Sequence, residues 1–235
     1  MAKVVIPDGE IDSPSDEDQL QATICRRTLV IIPALNEAET LPGVLENLKR
    51  WSLAGIRVVD NGSTDDTVAL AQSHGAEVMH EAIRGYGAAC WTGMQDLPEF
   101  VEWVLFCDAD GSDDLCGLAP FFQAAAEGDD LVLGNRNAHP ESRHALTWPQ
   151  RFGNTLAGHL IWLRWGTRFR DLGPLRLIRR SSLESLSMED RGFGWTVEMQ
   201  AKAAALKLRT REIPVSYFPR RGGKSKISGT VSGTL

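Results

Sequence analysis

The sequence predicts an α/β fold: a doubly wound, mostly parallel sheet with helices on both faces. Three observations predict it. Short apolar, β-branched runs alternate with segments of helical spacing through the first half of the chain. The intervals between the runs are those of βαβ units, whose strands lie parallel. Acidic residues also fall directly after several of the runs, and such sheets bind ligands beyond the carboxyl ends of their strands.

Residues 1–26 are acidic, interspersed with Pro and Ser and without periodicity, and are expected to form a mobile tail. Thr28-Leu29-Val30-Ile31-Ile32, ended by Pro33, suits a buried parallel strand. A helix is expected over Glu39–Trp51, on the spacing of Leu41, Val44, Leu45 and Leu48. Ile56–Asp60 is a second strand stopped by the turn signal Asn61-Gly62-Ser63. Thr64, a candidate N-cap, opens a helix running to Ser73. Ala76–Met79, Ala88–Leu97 and Val101–Cys107 continue as strand, helix and strand. The second half is less regular. It reads as a strand Asp130–Leu133, a polar loop, a Trp-bearing helix Phe152–Trp165, a strand Leu175–Ile178, a helix Val197–Lys207 and a last strand Arg211–Phe218. Residues 229–235 form a Gly/Ser/Thr-rich tail, so the folded domain is expected over 27–228.

The chain has 235 residues, 43% hydrophobic and 24% charged, which suits one large domain with a sizeable core. Its net charge of −6 is uneven. Lys3 against Asp8, Glu10, Asp12, Asp16, Glu17 and Asp18 gives residues 1–20 a local −5, leaving the remainder at −1. Residues 209–235 carry +5, from Arg209, Arg211, Arg220, Arg221, Lys224 and Lys226 against Glu212. A basic end on a near-neutral body suits an anionic partner such as a phosphate or a membrane headgroup, or is simply a solvated end. No nucleic-acid partner is expected. Cys25, Cys90, Cys107 and Cys116 show no Cys-x-x-Cys spacing, so neither zinc nor a disulfide framework is indicated and a reducing cytoplasm is expected. No signal peptide and no apolar stretch of about 18 residues is present, which suits a soluble protein or one resting on a membrane surface.

Chemistry concentrates at Asp108-Ala109-Asp110, directly after an apolar strand. Two hard carboxylates two positions apart suit Mg²⁺ or Mn²⁺ held jointly with a diphosphate. One of them could instead cap a loop. The continuation Asp108-Ala109-Asp110-Gly111-Ser112 also fits the nucleophile of a haloacid-dehalogenase phosphatase. That motif usually opens its domain, however, and here βα structure precedes it. Glu37 and Asp60 also follow strands, so three acidic stations share one rim.

Two further segments turn the triplet into a pattern. Val30-Ile31-Ile32-Pro33-Ala34-Leu35-Asn36-Glu37 and Val58-Val59-Asp60-Asn61-Gly62-Ser63-Thr64-Asp65-Asp66-Thr67 closely resemble the nucleotide-binding half of family-two glycosyltransferases. With Asp108-Ala109-Asp110-Gly111, the resemblance extends to the polyprenyl- and dolichyl-phosphate mannose and glucose synthases, over about residues 28–228. It implies the GT-A fold, Rossmann-like, with a nucleotide-binding half at about 27–135 and an acceptor half at about 136–228. It implies a nucleotide-sugar donor, a polyprenyl-phosphate acceptor, an Asp108/Asp110 metal site for Mg²⁺ or Mn²⁺, and peripheral contact with the cytoplasmic membrane face.

The resemblance also implies roles for single residues. Pro33, Ala34 and Glu37 frame the base and ribose, Asp60 bonds the base edge, and Arg84 and Ala109 border the nucleotide. Arg136 is an acceptor-phosphate ligand, and Arg220, Ser225 and Lys226 belong to a basic clasp over the phosphates. Asp171 and Glu198 fall on catalytic motif positions. A hydroxyl acceptor would need one of them as a base, whereas a phosphate monoester is already an anion and would use them as positioners. Relatives carry a Ser-Gly-Phe-Arg type sequence where this chain has Gly173-Pro174-Leu175-Arg176, and many carry Lys in place of Tyr86. Gly85 and Gly87 would allow backbone to approach a ligand or would simply make a turn. The helix 152–165, with Trp162, Trp165 and flanking arginines, either lies at a membrane interface or packs in the core. A non-catalytic nucleotide-sugar binding module is the remaining alternative.

Overall fold

The computed structural model describes residues 16–138 and 148–218. The chain runs α1 (Asp16–Arg26), β1 (Thr28–Ala34), α2 (Leu41–Leu48), β2 (Gly55–Asp60), α3 (Thr67–Ser73), β3 (Glu77–His80), α4 (Tyr86–Gly93) and β4 (Trp103–Phe106). It continues through α5 (Ala119–Ala126), β5 (Leu131–Asn135), a short 3-10 turn Arg136–Ala138, α6 (Trp148–Trp165), β6 (Arg176–Arg179), α7 (Arg180–Leu186), α8 (Trp195–Ala205) and β7 (Thr210–Pro214).

The seven strands form one sheet in the order β3-β2-β1-β4-β6-β5-β7. β1 pairs in parallel with β2 and β4, and β2 with β3. β6 lies antiparallel between β4 and β5, and β7 returns parallel to β5. The sheet is therefore mostly parallel, with β6 as its exception. Strand order reverses between β1 and β4, so the carboxyl ends of those two strands flank a topological switch point, where open α/β sheets bind ligands.

The apolar runs are strands because both faces of the sheet are covered. Along β1, Val30 and Ile32 face one core with α1, α2 and α5, while Ile31 faces the other with α4, α7 and α8. Leu105 and Leu177 repeat the first side, and Val104, Phe106 and Ile178 the second. Ile31 is wholly buried, and truncating such a side chain to Ala costs about 2–5 kcal/mol.

Residues 16–26, expected within a tail, form α1 instead. Its first turn carries Asp16, Glu17 and Asp18, favourable at the positive end of a helix, and Arg26 stands in its last turn. Ile24 and Cys25 bury against the core as the helix packs on α5. The acids that made the segment look solvated are on a helix whose last turn is anchored. Nor is Thr64 an N-cap. α3 begins at Thr67, and Thr64 donates its backbone N–H to Asn36 Oδ1 at 2.7 Å.

Candidate active site

The loops after β1 and β2 are lashed together side chain to backbone. Asn36 sits at φ 51°, a left-handed conformation that Asn tolerates better than most residues. Its N–H donates to Ser63 Oγ at 2.9 Å, the Glu37 N–H to Thr67 Oγ1 at 2.8 Å and the Ala38 N–H to Asp65 Oδ2 at 3.2 Å. Asp60, at the end of β2, accepts the N–H groups of Gly62 and Ser63 at 3.3 and 3.1 Å and lies 3.4 Å from His80 Nδ1. Its carboxylate thus builds the turn that follows β2. Glu37 is buried, its Oε2 accepting Thr40 Oγ1 at 3.1 Å. Asn61 donates to the carbonyls of Glu81 and Ile83 at 2.9 and 2.8 Å and accepts the Gly85 N–H at 2.8 Å. It therefore fixes the loop carrying Arg84, whose exposed guanidinium reaches the Gly62 carbonyl at 3.5 Å. Pro33 and Ala34 close β1 beside this assembly.

β4 delivers the acidic triplet at the switch point. Asp108 is partly exposed, while Ala109 and Asp110 are buried. Asp110 Oδ1 accepts the Ser112 N–H and hydroxyl at 2.9 and 2.5 Å, and Gly111 takes the left-handed φ of 73° that the turn requires. The Asp108 N–H donates to Asp113 Oδ2 at 3.0 Å. Burial pushes the Asp113 carboxyl up to about 7, with the charge of Asp110 adding to it and the Asp108 N–H and Arg136 opposing. Asp113 is a site residue the sequence reading missed; only its place five residues past Asp108 marked it.

The donor set suits a hard cation. Asp108 and Asp110 follow β4 two positions apart, and among the described residues no group of three or more His, Cys, Asp or Glu could hold a metal unaided. Mg²⁺ and Mn²⁺ take one or two carboxylates and complete their shells with substrate and water oxygens, so Asp108 and Asp110 fit.

On the other side, Arg136 leaves β5 directly into a buried ion pair. Its Nε and Nη2 meet the two oxygens of Asp171 at 2.8 Å each, and its own N–H adds a third bond at 2.8 Å. Asn154 Nδ2 and the Leu172 N–H also donate to Asp171 Oδ1, at 2.9 and 2.8 Å. Burial works against the Arg136 charge, but the hydrogen bond and charge of Asp171 outweigh it and raise its pKa. Tyr217 stacks on the guanidinium at 4.9 Å. Five donated bonds turn Asp171 toward Arg136 rather than toward a substrate proton, and Arg136 spends two of its donors on Asp171.

Glu198 is likewise occupied. It accepts the N–H groups of Glu189 and Asp190 at 2.8 Å each and pairs with Lys202 at 2.7 Å. Burial disfavours its charge, yet Lys202 and the two amides prevail and lower its pKa. The loop it anchors crosses back to α4. The carbonyls of Gly192 and Arg191 accept the Gly87 and Ala88 N–H groups at 2.8 Å, capping the first turn of α4. A Cβ on Gly85 or Gly87 would collide with the Arg191 or Asp190 carbonyl. These glycines admit the protein's own backbone, where the sequence left a ligand or a plain turn as alternatives. Arg220, Ser225 and Lys226 lie outside the described residues.

The family model for glycosyl transferase family 2 matches residues 29–187. The chain belongs to glycosyltransferase family 2. It is 39% identical over 208 residues to an uncharacterised glycosyltransferase of Mycobacterium tuberculosis, covering 88% of this chain and 92% of that protein. It is 30% identical over 241 residues to a polyprenol monophosphomannose synthase of Mycolicibacterium smegmatis, covering 94% and 89%. Its fold matches that of glucosyl-3-phosphoglycerate synthase from Mycobacterium tuberculosis in complex with Mn²⁺, UDP and glucosyl-3-phosphoglycerate, with a TM-score of 0.68 and 21% identity, over 88% of this chain and 76% of that one. The protein is therefore a glycosyltransferase of GT-A fold, and neither a haloacid-dehalogenase phosphatase nor an inert binding module.

Proposed function

We propose that this glycosyltransferase moves a hexose from a nucleotide-sugar of the UDP-glucose or GDP-mannose class to a polyprenyl phosphate, inverting the anomeric carbon. The observation that carries the acceptor class is the engagement of both acids on that side. Asp171 takes five hydrogen bonds and Glu198 two amides and a lysine, so neither is presented as a general base. A hydroxyl acceptor needs such a base; a phosphate monoester does not. One relative is named a polyprenol monophosphomannose synthase, which supports the same class.

In the proposed reaction an acceptor phosphate oxygen forms a bond to the anomeric carbon as the bond to the diphosphate breaks, and the nucleoside diphosphate leaves with the electron pair. Residues 27–135 serve the nucleotide and 136–228 the acceptor. Pro33, Ala34 and Glu37 border the base and ribose. Asp60 works through the 60–63 turn, and Arg84 and Ala109 border the nucleotide. Asp108 and Asp110 would hold Mg²⁺ or Mn²⁺, which supplies charge neutralisation for the departing diphosphate; a structural neighbour in complex with Mn²⁺ and UDP supports this. Arg136, set by Asp171, offers positive charge to the acceptor phosphate, and Arg220, Ser225 and Lys226 complete a clasp against phosphate–phosphate repulsion. A lipid acceptor implies contact with the cytoplasmic membrane face.

The test supplies purified protein with UDP-glucose or GDP-mannose and Mn²⁺, and offers a short-chain prenyl phosphate, phosphoglyceric acid or a sugar hydroxyl. Transfer to the prenyl phosphate with anomeric inversion is expected. Transfer confined to either other acceptor would overturn the acceptor class.

A further inference from the structure

Among the described residues, α6 presents an outer face that is left bare. Leu156, Leu160 and Leu163, at helical spacing on one side, are 48%, 55% and 64% exposed, and Trp162 and Trp165, elsewhere around the last turns of the helix, are 44% and 39% exposed. These are five of the eleven exposed large hydrophobic residues among the described ones. The opposite side is committed to the protein. Ile161 is buried, and a Cβ on Gly158 would lie 2.7 Å from the Phe169 carbonyl oxygen. α6 therefore carries apolar residues on both sides, and only one of them is covered.

Charge identifies what would cover the other. From Ser142 to Arg170 the sequence holds no Asp or Glu, yet it holds Arg143, Arg151, Arg164, Arg168 and Arg170, in a chain of net charge −6. Arg164, Arg168 and Arg170 are exposed at the carboxyl end of α6, and Arg164 lies over the Trp165 ring at 5.4 Å. Leucines flanked by tryptophan and arginine, without acids, are the composition of a helix lying in the headgroup region of an anionic bilayer. No helix among the described residues is long and apolar enough to cross a membrane, so such a helix would rest in the surface.

The same helix reaches the acceptor side. Asn154, two residues before Leu156, donates to Asp171, which holds Arg136. We infer that the Leu156/Leu160/Leu163 face of α6, rimmed by Arg164 and Arg168, docks on an anionic lipid surface and so brings the Arg136–Asp171 pair to the bilayer. Its purpose rests on the lipid-phosphate reading; its occurrence is measured separately.

Flotation of the full chain with phosphatidylglycerol–phosphatidylcholine vesicles, against phosphatidylcholine alone, tests the inference. Binding to the anionic vesicles is expected, weakened about tenfold or more by Leu160→Glu with Leu163→Glu and by Arg164→Glu with Arg168→Glu. Thermal melting and donor binding should stay unchanged, since all four side chains are exposed. If the leucine pair proves unstable, Leu156→Ser with Leu163→Ser replaces it. Absent binding, or binding equal in the variants, would overturn the inference and, in the second case, point to the basic end of the chain. A dimer that dissociates in the leucine variant without vesicle binding would also overturn it, assigning the face to a second copy. Transfer to a water-soluble short-chain prenyl phosphate reports on the acceptor class alone and should persist in the leucine variant.

Discussion

The two halves of the molecule hold their functional groups by different means. At the ends of the parallel strands β2 and β4, acids are fixed by near neighbours: Asp60 by Gly62 and Ser63, and Asp110 by Ser112. Beyond β5, Asp171 takes its cation from far along the chain, whereas Glu198 holds Glu189, Asp190 and Lys202 close by and it is their loop that reaches a distant helix. Arg136 and Asp171 are 35 residues apart, and the loop held by Glu198 caps a helix about 100 residues earlier. Local fixation suits the proposed sharing of a cation with a diphosphate by Asp108 and Asp110. Long-range fixation turns the Asp171 carboxylate into the structural partner of a cation.

Substitutions that keep shape but remove charge should separate the halves. Asp108→Asn or Asp110→Asn should cut sugar transfer by about a thousandfold or more with an unchanged melting curve, because these groups act on charge developing at the leaving diphosphate. Asp171→Ala should behave differently. It strands a buried guanidinium, and breaking one partner of a buried pair costs about 3–5 kcal/mol, read as a drop in the denaturation midpoint. A smaller effect is expected for Gly87→Ala. Its Cβ would meet the Asp190 carbonyl, and overpacking of this kind costs about 1–3 kcal/mol in chemical denaturation. The change should also loosen the link between the 190–192 loop and α4.

The smallest effect concerns Asp113. Its folded-state pKa is raised to about 7, above an unfolded value near 3.8, so the native state binds more protons between those values. Stability should fall as pH rises from about 4 to 7 and level off above. In chelator-containing buffer, Asp113→Asn should remove that component, so that the difference between variant and parent grows over this window. A difference independent of pH would contradict the assignment.

The same contrast explains what was legible in the sequence. β1, β2 and β4 are apolar runs that end in acids, so both the strands and the rim of Glu37, Asp60 and Asp108 could be read directly. α5 was not, because eight residues beginning Ala119-Pro120 give little periodicity, although Pro suits a first turn that needs no amide partner. α7 follows β6 without an intervening loop, so no turn signal announced it. Ala34 closes β1, and Glu37 and Asp110 follow β1 and β4 at the same rim. The occupation of Asp171, the true neighbour of Gly85 and Gly87, and the fixing roles of Asn61 and Asp113 depend on tertiary contacts that no local pattern encodes.

The central claim, that Asp108 and Asp110 form with a nucleoside diphosphate one metal-linked site, is tested most directly by calorimetric titration of UDP and GDP with and without Mn²⁺. One nucleotide should bind about tenfold or more tightly with Mn²⁺, and that gain should vanish in Asp110→Asn while metal-free binding is retained. Binding that ignores the metal, or a metal-dependent gain surviving in Asp110→Asn, would contradict it.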